Sequence, residues 1–248
     1  MSSSTSPAAQ NGQPSRGVWP SLAPYIVPPF AASAAIVLVF RDLVAKSSQQ
    51  KGQPVPHMTM LEGLRGGLKA APTVGIIVGT QMVVQSAVEK ALVGDKNKVS
   101  LVSMLASSAI VGAVSAPVLA VFNGQTMGWS VGESLRKFSV KQGLAIAVQE
   151  TAFVGGLSAA DRLAVAMKRK FGDNKIVEYT AAFTAGAAGS LAGHPANTAL
   201  TRWQSGMAMD SFRQSMWGAA RKARAIGFFS VIYKFGKETL NSTVESSK

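Results

Sequence analysis

The chain contains no cysteine, which excludes disulfides, thiolate metal sites and a cysteine nucleophile and leaves the compartment open. Acidic residues are scarce: 12 Asp and Glu stand against 25 Lys and Arg in 248 residues, a net charge of +13. Charged residues amount to 15% of the chain, well under the roughly 25% of a typical soluble domain. Hydrophobic residues amount to 47% and mean hydropathy is +0.21, so the missing charge points to lipid-buried surface. Aromatics are only 7% and no basic–aromatic binding motif occurs. The positive balance therefore suits anionic lipid or anionic solutes, and no nucleic-acid partner is expected. No Ser/His/Asp grouping, phosphate loop or paired-carboxylate site is present, so the chain is not expected to be an enzyme. His57 and His194 have no second ligand at metal spacing, and neither a metal nor a cofactor is expected.

Residues 1–24 are rich in Ser, Pro and Gln and carry one cation, Arg16. No apolar core follows a basic start, and the repeated arginines of a transit peptide are missing. This stretch is expected to be a disordered tail, with residues 25–248 forming a membrane domain. Six apolar runs follow, at Tyr25–Ala45, Thr73–Ala91, Leu101–Val121, Leu144–Met167, Val177–Gly193 and Arg221–Leu240. Most approach the roughly 20 residues that a bilayer span needs, which predicts an all-α integral membrane fold of six helices; an Ala-rich soluble bundle is the alternative. Glycines Gly186, Gly189 and Gly193 in the fifth run stand at helical spacings, the pattern that lets helix backbones approach closely in lipid. Six spans place both termini on one side. Cations such as Arg41, Lys51, Arg136, Lys137 and Arg221 gather after the odd runs, which turns those loops toward the more negative compartment.

The chain also repeats itself. Pro195 has a counterpart at Pro117, 78 residues earlier, and Gln204 has counterparts at Gln125 and Gln49, at separations of 79 and 76. Lys69-Ala-Ala-Pro72 matches Arg224-Ala-Ile-Gly227 at 155 residues, about two periods. Three units of two helices each, near residues 25–98, 99–175 and 176–248, account for these spacings.

These residues resemble the mitochondrial carrier family, whose three tandem two-helix repeats each carry P-x-[DE]-x-x-[KR]-x-[RK]-x-Q at the end of the odd helix. The third repeat reads Pro195-Ala-Asn197-Thr-Ala-Leu200-Thr-Arg202-Trp-Gln204, keeping proline, arginine and glutamine. The first reads Phe40-Arg-Asp42-Leu-Val-Ala45-Lys-Ser47-Ser-Gln49 and keeps the acid and the glutamine. The second starts at Pro117 and has its glutamine, Gln125, one place early. Glu62-Gly63-Leu-Arg65-Gly66 is similar to the family's acidic-Gly and Arg-Gly elements run together. The resemblance spans Phe30 to Leu240 and implies six helices in three hairpins about a pseudo-threefold axis.

It also implies site residues. The family's substrate positions carry over to Lys69, the pair Val148–Gln149, and Arg224, with Glu150 as a neighbouring acid. Two cations and an amide suit a small carboxylate or phosphate; the residues alone equally allow Lys69 and Arg224 to reach toward headgroups. Of the gate positions, Asp42 is the one remaining acid on the odd helices and Asp161 a remnant on the even ones, while Asn197, Leu119, Ala45, Phe122 and Leu200 replace the other charges. Two functions follow. One is transport of a small anionic metabolite across an organelle membrane, the mitochondrial inner membrane. The other is a transport-inactive homologue serving as a structural subunit or adaptor, with protein partners in a larger membrane complex.

Overall fold

A computed structural model describes residues 18–93 and 101–246, apart from the side chains of 18–21, 24, 89, 90, 92, 93, 101–104, 154–164 and 243–246. The described chain is all-helical. Its long helices are α1 (Val18–Gln50), α2 (Met60–Val93), α3 (Leu101–Thr126), α5 (Val140–Phe171), α6 (Lys175–Ala192) and α9 (Ala219–Ser246). Three short ones, α4 (Val131–Arg136), α7 (His194–Gln204) and α8 (Phe212–Ser215), lie between them. Helix α1 begins at Val18, so residues 18–24, assigned to the tail from composition, are helical. Ala23 and Val27, one turn apart, pack together there as a buried pair, and that apolar contact carries the helix back past Tyr25. The rest of the expected tail, residues 1–17, lies outside the described residues.

The prolines act in two ways. Pro72 and Pro117 lie inside α2 and α3, as helices tolerate where neighbours satisfy the freed carbonyl. Pro195 instead opens a new helix: α6 ends at Ala192, Gly193 caps it, and α7 begins with Pro195 in its first turn, where its missing N–H costs nothing.

Each long helix packs against the next in chain order, α1 on α2, α2 on α3, α3 on α5, α5 on α6 and α6 on α9, and α9 returns to α1. The small residues of α6 make this close approach feasible. A Cβ on Gly186 would stand 2.8 Å from the Ile226 carbonyl oxygen of α9, and Cβ atoms on Gly189 and Gly193 would stand 2.9 and 2.7 Å from the Phe153 and Gln149 carbonyl oxygens of α5. Helix α7 crosses one end of the ring and touches α1, α3, α5 and α6. One apolar cluster, with Ile36, Val39, Leu43, Val74 and Ala225, binds α1, α2 and α9; a second, with Ala120, Ile146 and Leu200, binds α3, α5 and α7.

Among the described residues three helical segments are long and apolar enough to cross a membrane: Tyr25–Gln50, Met60–Val88 and Leu105–Thr126. Large apolar side chains also face outward from most of the ring, among them Leu38, Ile76, Val114, Leu144, Leu191 and Phe228.

Candidate functional site

The ring encloses a cavity of about 780 Å³ lined by α1, α2, α3, α5, α6 and α9. Its length follows from α9, which lines it from Lys222 to Asn241, a run of about 28 Å at 1.5 Å per residue.

The last turns of α1 and α3 meet α7 at the Lys222 end and close the cavity floor with hydrogen bonds between polar side chains. Lys46 Nζ and Gln50 Nε2 both donate to Asn197 Oδ1, each at 3.1 Å. Gln50 also donates to Thr198 Oγ1 at 2.9 Å, and its Oε1 accepts from Thr201 Oγ1 at 2.8 Å. Asn123 Nδ2 donates to Thr201 Oγ1 and, at 2.6 Å, to Gln204 Oε1, while Gln204 Nε2 donates to the Ala120 carbonyl. A hydroxyl pair, Ser47 and Thr126 at 2.7 Å, joins α1 to α3. Beneath the layer, Arg202 donates to the Gln50 and Ala208 carbonyls, and His194 Nε2 meets the Trp217 carbonyl at 2.9 Å. These groups are almost entirely withdrawn from solvent, so each bond must be made for the floor to be stable.

Above the floor the cavity holds a small set of charges. Lys222 is 7% exposed and faces the cavity. Among the described residues its ammonium has no hydrogen-bond or ion-pair partner; Lys46 and Glu150 are near enough for their charges to act on it. Glu150 accepts from Gln81 Nε2 at 3.3 Å through one oxygen and from Gln149 Nε2 at 3.2 Å through the other. At the far end, Lys234 bonds Glu238 at 2.9 Å, Lys175 bonds Glu238 at 3.1 Å, and Lys168 bonds Glu178 at 2.8 Å. Hydrogen bonds that the Lys168 ammonium donates to Asp173 and Glu178 hold its pKa well above the ordinary lysine range.

The residues singled out from the sequence divide between the inside and the outside of this ring. Gln149 lines the cavity, and Glu150 beside it does too. Lys69 and Val148 do not: both are exposed, since one position along a helix turns a side chain by about 100°. Arg224 is also absent from the cavity. It forms a two-point contact with Asp42, Nε to Oδ2 at 3.1 Å, in a separate depression of about 220 Å³ with Arg41 and Arg221. Asp42 is thus tied to the outer face of α9 instead of to another odd helix. The side chain of Asp161, on α5, lies outside the described residues. Gln204 and Arg202 belong to the floor, and Pro195 places them there. Gln49 and Gln125 do not join its side-chain network; the next residues in each helix, Gln50 and Thr126, do, and the amide oxygen of Gln125 is buried without a partner among the described residues.

The structure thus adds Lys46, Gln50, Asn123 and Lys222 to the site. Lys46 and Gln50 could be found by moving the first repeat one residue on, since the neighbouring Gln49 and Gln50 fit the spacing about equally well. Lys222 carries no such signal. Substituting Lys69 or Arg224 by Gln should therefore leave solute-induced stabilisation of the purified protein unchanged. R224Q should lower basal stability by at most about 1 kcal/mol, because its pair with Asp42 is half exposed and exposed pairs contribute little; thermal denaturation with and without solute reads both effects. No protein-family model matches the chain, and no curated protein is significantly similar to it.

Proposed function

We propose that this chain is a carrier-like membrane protein, six helices in three tandem hairpins, that moves a small anionic metabolite across an organelle membrane. The resemblance to mitochondrial carriers makes the mitochondrial inner membrane the expected site. The observation that carries the reading is Lys222: a buried ammonium with no partner among the described residues, facing a large internal cavity, is costly, and an anion entering the cavity offsets that cost. The helices also turn apolar side chains outward, while the charged groups Lys46, Glu150 and Lys222 face the cavity near its floor, as ionisable groups inside a membrane do. Transport would need the floor to open. Its cross-links between α1, α3 and α7 are hydrogen bonds, each worth about 0.5–1.5 kcal/mol net, and lie within the range that solute binding can offset.

Uptake of labelled anions by proteoliposomes tests this reading, together with a thermal-shift panel in which a solute at a hundred times its dissociation constant adds roughly 2.7 kcal/mol. N197D places a carboxylate against Lys46 and turns a neutral contact into an ion pair. The expected result is a higher apparent Tm and slower uptake, because the closed floor is favoured. Faster uptake in N197D would remove the floor from the transport cycle. Absence of uptake and of any thermal shift would sink transport altogether.

A second reading, a transport-inactive homologue held as a structural subunit, is favoured by one observation: Asn197 stands where the family's motif has an acid, so the floor has lost its charge pairs. Stoichiometric co-purification with a membrane complex, without uptake, is its expected outcome.

A further inference from the structure

Resting on the transport reading, we infer that the cavity takes an organic anion with a single negative charge and an apolar body, Lys222 holding its carboxylate and Glu150 turning away a second one. Among the described residues six charged side chains line the cavity: Lys46, Glu150 and Lys222 near the floor, and Lys234, Lys237 and Glu238 toward the mouth. Lys234 is twelve residues beyond Lys222 on α9, about 18 Å along the axis, too far for a small solute at the floor to reach both. Lys234 is moreover engaged with Glu238 and Glu178.

The floor group therefore sets the charge. Both oxygens of Glu150 accept from amide N–H groups, Gln81 on one and Gln149 on the other, bonds that favour its carboxylate form. Counted by formal charge, two lysines and one glutamate sum to +1, which one anionic group neutralises. Lys46 already donates to Asn197; Lys222 donates to nothing among the described residues, and so is the group with hydrogen-bonding capacity to offer. A second carboxylate or a dianionic phosphate at the floor would meet the like charge of Glu150, which is expensive where water is sparse. Around these charges the wall is apolar, with Phe122, Phe153, Ile226 and Phe229 lining the same space. That surface suits a short hydrocarbon chain better than a polyhydroxylated or phosphorylated body.

The test is thermal shift on the purified full chain at neutral pH and matched ionic strength, with 3-methylbutanoate, glutarate and inorganic phosphate as probes. 3-Methylbutanoate is expected to raise the apparent Tm in a saturable manner, and glutarate and phosphate to do so at least tenfold more weakly. K222Q should weaken 3-methylbutanoate at least tenfold while keeping or raising its basal Tm, since it removes a buried charge with no partner among the described residues; K222M serves as the folded control if the glutamine variant is poorly expressed. E150Q should admit glutarate at least tenfold more tightly and still bind 3-methylbutanoate. Preference for glutarate or phosphate in the wild type, or an unchanged preference in E150Q, overturns the inference and leaves transport standing if that solute is taken up. A flat response to every anion overturns both.

Discussion

Alanine at Gly67 is expected to separate α1 from α2 and to be among the most damaging single-methyl additions in the protein. A Cβ there would lie 2.5 Å from the Cα of Val37 and 2.7 Å from its carbonyl oxygen. These are backbone atoms of the opposing helix, so no rotamer change relieves the contact, and the helices must part along a seam that Ile36, Val39 and Val74 otherwise fill. Overpacking commonly costs 1–3 kcal/mol and occasionally more; with backbone as the obstacle, a loss of about 3 kcal/mol or more is expected. In a domain of this size that lowers the apparent Tm by roughly 6–12 °C. The matched control is Gly79, also in α2, where the nearest atom to an added Cβ is Pro29 Cγ at 3.7 Å, an ordinary contact. G79A should be neutral or slightly stabilising through its helix propensity. Equal losses at the two positions would show that the close approach of α1 and α2 is not what Gly67 serves.

Removing the Asn197 acceptor is the second large expected effect. In N197L, Lys46 loses its only hydrogen-bond partner among the described residues, and Gln50 loses one of its partners. Lys46 is 3% exposed, and stranding a buried charge in this way costs about 3–5 kcal/mol. Replacing the charge as well should restore most of the loss, because a buried polar pair exchanged for apolar groups of similar volume is often neutral. K46M/N197L is therefore expected to be more stable than N197L alone, giving a favourable coupling in a double-mutant cycle. Additive losses in the cycle would mean that the two side chains do not act as a pair.

Much of the architecture is legible in the sequence because it depends on short-range patterns. The six apolar runs lie in helices, the fifth apart from its last residue, Gly193, and among the described residues three of those helices are apolar enough to cross a membrane, since periodicity and apolar length are properties of consecutive residues. Gly186, Gly189 and Gly193 announce a helix that others approach closely, as α5 and α9 do. The site is less legible for two reasons. Which way a side chain faces in a ring of helices depends on register, and a slip of one residue turns it by about 100°. That slip separates Gln49 from Gln50 and Val148 from Gln149. Charge also misleads: Arg224 and Lys222 stand two residues apart near the start of α9, yet one pairs with Asp42 outside the ring and the other faces the cavity.

The amino-acid sequence by itself determined the helical class, the apolar runs long enough for a bilayer, the excess of cations, the absence of thiol chemistry and the small-residue seams, because composition and local spacing carry each of them. Only the tertiary structure decided that Lys46, Gln50, Asn123, Asn197, Thr201 and Gln204 close one end of a cavity, and that Lys222 stands above them without a partner among the described residues. The hydrogen bonds of that floor join residues as many as 151 positions apart. They arise from how the helices rotate against one another as they pack, which no single helix specifies on its own.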